Sequence, residues 1–289
     1  MSCLFCNSKG SFSTQEHVVP ESLGNDDLIL DGHVCDVCQN YFGKEVEEYV
    51  LGKTPFATWR AMLGIRTKTG RLPRIETSQP KRAKSRLPDK HSFHDDGLVF
   101  EAQPDGTGTV EITSEKIREE ILTGSRSAFH FVMTPKVLCM IGRFLGKIGL
   151  ELLCLDAPDS ARGSQYDDIR NYARRGAIVD IWPLFHFSAG KMEDLVWLKP
   201  ALDGVREEVL CYSYALFSTD GMIANHSQYT LLRFTIGTDN WVICLNDRYP
   251  HPIIREQFKG QELKLIWYSP QELANKSTQR TRTSRAADA

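Results

Sequence analysis

The chain has 289 residues, a length that suits one large domain or two small ones. Apolar residues make up 41% and charged residues 25%, which is ordinary globular usage and excludes collagen-like, coiled-coil and wholly disordered chains. No apolar run reaches the ~18 residues that a membrane-spanning helix needs. The first ten residues lack the basic and apolar regions of a signal peptide, so we expect a cytoplasmic protein with reduced thiols.

The net charge of −2 hides an uneven distribution along the chain. Residues 1–52 carry two lysines and nine acidic residues, whereas residues 53–90 carry eleven basic residues and two acidic ones. A strongly basic stretch beside acidic ones is typical of a segment that binds a polyanion. The pattern therefore indicates residues 53–90, rather than the chain as a whole, as a partner-binding segment.

Two CxxC pairs open the chain, Cys3 with Cys6 and Cys35 with Cys38. Four thiolates in two such pairs suit tetrahedral Zn²⁺, and in a reducing compartment a disulfide or a redox role fits less well. We therefore predict a structural zinc site. The other cysteines stand singly in apolar surroundings and are expected to be small buried residues. They are Cys139, Cys154, Cys211 and Cys244.

A Glu16-His17 dipeptide lies between the two cysteine pairs, in the segment EHVVPESLGN. A neutral imidazole can accept a proton from water near pH 7, and adjacent oxygen donors can hold a hard divalent cation such as Mg²⁺. The dipeptide is thus a candidate hydrolytic site. A surface histidine without a chemical role is the ordinary alternative.

The segments CLFC, EHVVPESLG and VCDVCQNYFG together resemble the zinc-stapled HNH endonucleases, also called ββα-metal or His-Me finger nucleases. The resemblance covers residues 3–43. It implies that His17 is the general base, that Glu16 binds a catalytic Mg²⁺ or Mn²⁺ where the family usually has Asp, and that the four cysteines hold structural zinc. It also implies a ββα fold whose helix follows Cys35. The apolar stripe of that helix is Phe42, Val46, Tyr49 and Val50.

The sequence departs from the family directly after the last cysteine, where His or Asn is usual and this chain has Gln39 followed by Asn40. Either carboxamide oxygen could bind the catalytic cation, and we favour Asn40. Gln39 has a second interpretation, because Asp36 as a helix N-cap and Gln39 three residues later would form a capping box. The polar residue that orients the histidine is left open by the pattern. Three residues compete for that role: Asn25, Asp31 and His33.

Residues 53–90 are interpreted as a basic, proline-containing connector that follows the finger, residues 1–52. Its prolines, Pro55, Pro73, Pro80 and Pro88, are too closely spaced for one continuous helix. Eight basic residues of the connector are candidate contacts to DNA phosphates, and a solvated linker is the alternative. They are Arg66, Lys68, Arg71, Arg74, Lys81, Arg82, Lys84 and Arg86.

Residues 91–274 are predicted to form an α+β domain, with helices first and an antiparallel meander after them. Thr134 and Pro135 mark the start of a helix whose apolar residues recur at helical spacing. Three basic residues on another face of this helix are expected to be solvated rather than in contact with DNA. They are Lys136, Arg143 and Lys147. A second helix is predicted over residues 164–175.

Strands are predicted in the second half of this domain, with hairpin turns at 220–221 and 237–240. The strand segments are 177–182, 194–198, 209–217, 222–236 and 241–245. Residues 275–289 have almost no apolar content, which predicts a disordered basic tail.

Together these features predict a metal-dependent HNH-type endonuclease that hydrolyses DNA, and the resemblance implies a role in bacterial restriction or defence. The larger domain could bind DNA, a partner protein, a small signal molecule or a second copy of the chain, and no membrane association is expected. The main alternative is a non-catalytic zinc module that binds nucleic acid or protein. A further alternative is a ligand-sensing regulator in which the larger domain dominates.

Overall fold

The computed structural model describes most of the finger and the main helices and strands of the rest of the chain. The described residues are 2–62, 65, 74–76, 98–102, 108–112, 114–125, 133–188, 212–219, 228–248, 254, 256–260 and 264–265. No helix within these ranges is long and apolar enough to cross a membrane. The predicted strand 194–198, the turn 220–221 and the tail 275–289 lie outside them.

The N-terminal finger begins with a short hairpin. Strands β1 (Glu16–His17) and β2 (Ile29–Leu30) pair in antiparallel fashion, so that Glu16 lies opposite Leu30. Between them a 3₁₀ turn (Glu21–Leu23) ends at Gly24, which adopts a left-handed conformation with φ of 84°. The hairpin thereby brings the Glu16-His17 dipeptide beside the chain that follows β2.

A helical segment follows the hairpin, as the resemblance implies. Helix α1 (Asp36–Phe42) continues through a π-helical turn (Gly43–Glu47) into helix α2 (Glu48–Lys53). The predicted apolar stripe is buried, except that Tyr49 is partly buried against the same core. The ββα order of the finger is therefore confirmed.

The predicted connector contains two further elements. Helix α3 (Pro55–Met62) is buried over residues 55–61. Strand β3 (Arg74–Glu76) pairs with β4 (Leu98–Ala102), which pairs with β5 (Gly108–Ile112), and both pairings are antiparallel. Helix α4 (Glu115–Leu122) follows this small sheet. The first part of the connector is thus packed structure and not a solvated linker.

Helix α5 (Pro135–Asp156) begins as predicted, because the Thr134 hydroxyl accepts a hydrogen bond from the Val137 N–H at 3.2 Å. Helix α6 (Pro158–Ala161) follows it. The helix predicted over 164–175 is a 3₁₀ turn (Ser164–Tyr166) that leads into α7 (Asp167–Arg175).

The expectation that the basic face of α5 is solvated is wrong for two of its three residues. Lys136 is exposed, but Arg143 is 8% exposed and the Lys147 side chain is completely buried. The finger and α7 cover this face, and oxygen atoms from both surround the two cations. A helix that is buried all round can carry cations only where such partners are available.

A five-stranded antiparallel sheet completes the α+β fold and confirms the predicted meander. Its order is β10-β6-β9-β8-β7, and the strands are β6 (Phe185–Ser188), β7 (Tyr212–Thr219), β8 (Tyr229–Ile236), β9 (Asp239–Cys244) and β10 (Lys264–Leu265). Gly237 and Thr238 form the turn between β8 and β9, in the predicted position.

The strand predicted over 177–182 is not formed. Residues 177–180 make a turn in which the Asp180 N–H donates to the Ala177 carbonyl at 3.0 Å, and Val179 is exposed. Trp182 is buried, and its indole N–H donates to the Cys244 carbonyl at 2.8 Å. Trp182 therefore packs between the end of β9 and Tyr172 of α7, with its ring 5.7 Å from the Tyr172 ring, whereas Ile178 and Val179 are exposed.

One apolar core joins the finger, α3, α5 and the large sheet. The Phe56 ring lies 5.5 Å from the Phe144 ring and 5.8 Å from the Trp241 ring. Trp59 packs so closely on Gly237 that a Cβ there would lie 2.3 Å from the indole ring, and Gly237 also has a positive φ of 56°. Glycine is thus required at this turn both for its backbone conformation and for the contact with α3.

Phe56→Ala should lower the free energy of unfolding by about 3–5 kcal/mol, because it removes a buried ring from the centre of this core. Denaturant unfolding measures the change. Leu122→Ala is the matched control, since Leu122 is 80% exposed and its truncation should change stability by only about 0.5 kcal/mol. Equal losses in the two variants would contradict a core position for α3.

Candidate metal centre and catalytic cleft

The four predicted zinc ligands converge. Their Sγ atoms all lie within 4.8 Å of one another, and the Cys6 and Cys35 sulfurs are 3.6 Å apart. Zn–S bonds of about 2.3 Å in a tetrahedron place sulfurs about 3.8 Å apart, so the cluster has the dimensions of a zinc site. Among the described residues this is the one group of three or more Cys, His, Asp or Glu side chains close enough to share a metal ion.

Local backbone geometry positions the sulfurs. Cys35 is the N-cap residue of α1, and Cys38 lies in its first turn. Asn7, which follows the first pair, has a positive φ of 56°, a conformation that asparagine tolerates, and its N–H donates to the Cys3 carbonyl at 3.0 Å. These turns direct the four cysteine sulfurs of the two CxxC pairs toward a common centre.

The ionisation of the cysteines also favours a cation at this point. A hydrogen bond from the Cys38 thiol is the main cause that lowers the pKa of Cys3 to about 4. That shared proton raises the pKa of Cys38, and burial raises the pKa of Cys35. One thiolate therefore forms readily, while further thiolates need a positive charge to compensate for them.

The single cysteines are buried, as expected, at Cys139, Cys154 and Cys244. Cys211 lies outside the described residues.

His17 and Glu16 border an open cleft with a volume of about 330 Å³ between the hairpin and the finger helix. The His17 Nε2 atom lies 3.1 Å from Glu21 Oε1. Its Nδ1 atom is buried and has no hydrogen-bond partner among the described residues. The Glu21 carboxylate therefore favours the tautomer of the neutral ring that carries its proton on Nε2.

The two carboxamides after Cys38 differ in their surroundings, although both line the cleft. Gln39 Oε1 accepts a hydrogen bond from the Thr14 hydroxyl at 2.6 Å, and its Nε2 donates to the Thr14 and Val34 carbonyls at 3.0 and 3.1 Å. Asn40 is exposed to the cleft solvent.

The capping box is not formed. Cys35, not Asp36, is the N-cap of α1, and Gln39 does not bond to the N-cap N–H. Asp36 instead accepts hydrogen bonds from the backbone N–H groups of Ser13 and Thr14 and from the Ser13 hydroxyl. Together with a bond from Ser11, these keep the pKa of its carboxyl well below the usual value.

The three residues proposed to orient the histidine do not line the cleft. Asn25 is buried and donates to the Val19 carbonyl at 2.6 Å, which closes the loop before β2. The His33 Nδ1 atom lies 3.0 Å from the Arg162 guanidinium, and Asp31 is exposed. Glu21 contacts His17 instead. Its position four residues after the histidine was a signal for this contact that the sequence interpretation did not use.

A buried lysine from the larger domain lies beneath the dipeptide. Lys147 Nζ is 2.6 Å from Glu16 Oε1 and 3.0 Å from Glu47 Oε1, and it donates to the His17 carbonyl at 3.0 Å. Burial raises the pKa of Glu16, although the Lys147 ammonium opposes the shift. Burial alone would lower the pKa of Lys147, but the carboxylates of Glu151, Glu16 and Glu47 outweigh it, and the net pKa is well above its usual value. The sequence interpretation had placed Lys147 on a solvated helix face and did not foresee this role.

One of the eight predicted phosphate contacts lies among the described residues. Arg74 begins strand β3, where its backbone pairs with Glu101. The other seven lie outside the described residues: Arg66, Lys68, Arg71, Lys81, Arg82, Lys84 and Arg86.

Comparison with known families agrees with this geometry. Residues 3–53 match a family model described as an HNH endonuclease. The match includes the four cysteines and every residue proposed for the catalytic site, and it covers less than a fifth of the chain. No curated protein and no solved structure matches the chain. The resemblance inferred from the motifs is confirmed at the level of the family, and it supports a nuclease-type enzyme.

We expect purified protein to contain about one zinc per chain by elemental analysis. Structural zinc contributes ~10 kcal/mol or more in small fingers, so its removal by a chelator should unfold the finger, with a loss of helical signal. Cys38→Ser should lose the metal, whereas Cys139→Ser, a buried cysteine outside the cluster, should keep it. Zinc-free protein with an intact finger would contradict the assignment.

Proposed function

We propose that this protein is a metal-dependent endonuclease of the HNH type that hydrolyses phosphodiester bonds in DNA. The observation that carries the proposal is the placement of His17: its side chain borders an open cleft, and the Glu21 carboxylate holds one of its ring nitrogens. A protein that only binds nucleic acid has no need of such a histidine. The match to the HNH endonucleases supports the same reaction.

His17 acts as the general base in this proposal. When Nε2–H donates to the Glu21 carboxylate, Nδ1 is the basic nitrogen. Because Nδ1 is buried, the ring has to turn toward the cleft before Nδ1 can accept the proton of the attacking water. Glu21 fixes the tautomer and stabilises the imidazolium that forms. This division of roles between a base and an orienting carboxylate is common in hydrolytic enzymes.

The donor set of the cleft fits a hard divalent cation, Mg²⁺ or Mn²⁺. Asn40 and Glu16 offer carboxamide and carboxylate oxygens, the atoms that such ions prefer. One oxygen of Glu16 accepts from Lys147, and the second oxygen remains to bind the ion. The bound cation would offset the negative charge that develops on the phosphate and the leaving oxygen.

The substrate must overcome the charge of the cleft, which three carboxylates border: those of Glu16, Glu21 and Glu47. Lys44 is the lysine at its edge. We infer that the basic residues of the segment 66–86 supply the attraction for DNA by contacting phosphates, without base specificity. A role in restriction or defence follows from the family resemblance alone.

His17→Ala should lower the rate of plasmid cleavage in the presence of Mg²⁺ by ~10²- to 10⁴-fold, the usual contribution of a general base. Zinc content and the folded spectrum should not change. His33→Ala is the matched control, because His33 lies in the same finger but contacts Arg162 rather than the cleft. If wild type binds DNA yet cleaves none with Mg²⁺ or Mn²⁺, the non-catalytic zinc module becomes the better interpretation.

Replacing the two carboxamides separately tests which one belongs to the catalytic site. Asn40→Ala should raise the Mg²⁺ concentration needed for half-maximal cleavage and leave the melting temperature unchanged. Gln39→Ala should mainly destabilise the finger, by about 1–3 kcal/mol, since it removes three hydrogen bonds. Mg²⁺ titrations and thermal melts measure both effects, and the reverse order would assign the ligand to Gln39.

A further inference from the structure

The Lys147 ammonium lies in a cage of oxygen atoms that belongs largely to the finger. In addition to Glu16, Glu47 and the His17 carbonyl, the Val18 carbonyl lies 3.4 Å from Nζ. Glu151 Oε2 lies 3.2 Å away, although neither oxygen of that carboxyl group makes a hydrogen bond. Five oxygens within 3.4 Å thus surround an atom that has three N–H donors.

Several of these oxygens belong to the candidate site itself. The His17 carbonyl belongs to the peptide unit that follows the His17 Cα, and the Val18 carbonyl belongs to the next one, so both bonds hold the backbone directly after His17. The Glu16 and Glu47 carboxylates line the cleft, and Lys147 is their common partner. Lys147 does not itself line the cleft, so it acts only through these neighbours.

We propose that Lys147 is a positioning residue for His17, contributed to the nuclease site by the larger domain. The proposal rests on the function given above. Lys147 lies far outside the matched segment 3–53, so the family motif does not contain every group that its histidine requires. The hydrogen bonds from Lys147 to the His17 and Val18 carbonyls hold the backbone after β1, and its ion pair fixes the Glu16 carboxylate. The His17 ring therefore meets Glu21 in one orientation.

Arg143 provides the matched comparison, because it is a second buried cation one turn earlier on α5. Its guanidinium donates to the carbonyls of Ala173 and Arg174 at 3.0 and 2.7 Å and to the Tyr41 hydroxyl of the finger. It thus fastens the same finger to the same helix but contacts neither His17 nor Glu16. A loss of packing alone should affect both positions alike, whereas a loss of positioning should affect Lys147 only.

The experiment compares Lys147→Met and Arg143→Met with wild type in full-length, zinc-loaded protein below the melting temperature of each variant. In Lys147→Met, kcat per folded molecule should fall by about 10²-fold, the cost of a base displaced by roughly 1 Å, while KM for a labelled duplex stays within about twofold. Arg143→Met should keep kcat within about threefold. A change of similar size in both variants, or an unchanged kcat in Lys147→Met, would overturn the proposal.

A second measurement is independent of cleavage. In protein labelled with ¹⁵N at histidine, the His17 ring should give the signal of one tautomer in wild type and in Arg143→Met. In Lys147→Met it should give a mixture of tautomers, because the ring no longer meets Glu21 in a fixed geometry. His17→Ala identifies the signal. A single unchanged tautomer in Lys147→Met would overturn the proposal.

Removing one buried cation from among three carboxylates can prevent folding, so a charge-balanced variant is included. Lys147→Met with Glu151→Leu removes one charge of each sign but still lacks the donors to His17 and Val18. It should show the same loss of kcat and the same tautomer mixture, and wild-type behaviour would overturn the proposal. If wild type itself cleaves no DNA, the proposed function fails. If wild type cleaves DNA and the Lys147 variants are equally active, the proposed function stands and only the role of Lys147 is rejected.

Discussion

The placement of the finger on α5 depends on the contacts between the buried Lys147 ammonium and the oxygen atoms around it. An unpaired ammonium in an apolar core costs several kcal/mol, so α5 can be buried only where oxygens meet that atom. The finger supplies most of them, from the Glu16 and Glu47 carboxylates and the carbonyls after β1. These polar contacts therefore select one position of the finger on α5. The surrounding apolar core stabilises that position, but apolar contacts are less directional and select it less strictly.

Two anchors hold the two walls of the cleft. The cysteine cluster fixes the start of α1, which carries Asn40 two residues after Cys38. Lys147 fixes the opposite wall, where β1 carries His17. The distance between His17 and Asn40 thus depends on both anchors, one local to the motif and one from the larger domain. A finger of about fifty residues has too little core to hold both walls by itself.

The features that could be predicted from the sequence are those that depend on near neighbours. The CxxC spacing, the helix start at Thr134 and the turn at Gly237 are each determined within a few residues, and the structure contains all of them. Lys147 could not be predicted in this way. Charges at its spacing on a helix are typical of a solvated face, and its partners in β1 lie 130 residues away in the chain. The prediction for segment 177–182 failed for a related reason. Its apolar pattern fits a strand, but its first residues form a turn and Trp182 is held by the Cys244 carbonyl, 62 residues away in the chain.

In the proposed function, the acidic cleft and the basic segment after α3 have complementary roles. Carboxylates at the cleft suit a cation but repel a polyanion, so attraction for DNA has to come from elsewhere in the chain. Helix α3 is fastened to the cleft wall, because the Arg60 guanidinium donates to the Ser22 carbonyl in the 3₁₀ turn at 2.6 Å and to the Leu51 carbonyl at 3.0 Å. The basic residues follow this helix directly in the sequence, so the positive charge is tethered to the same turn that carries Glu21. In the proposed function, the acidic finger hydrolyses DNA and the adjacent basic segment attracts it, so the two tasks fall to segments of opposite charge.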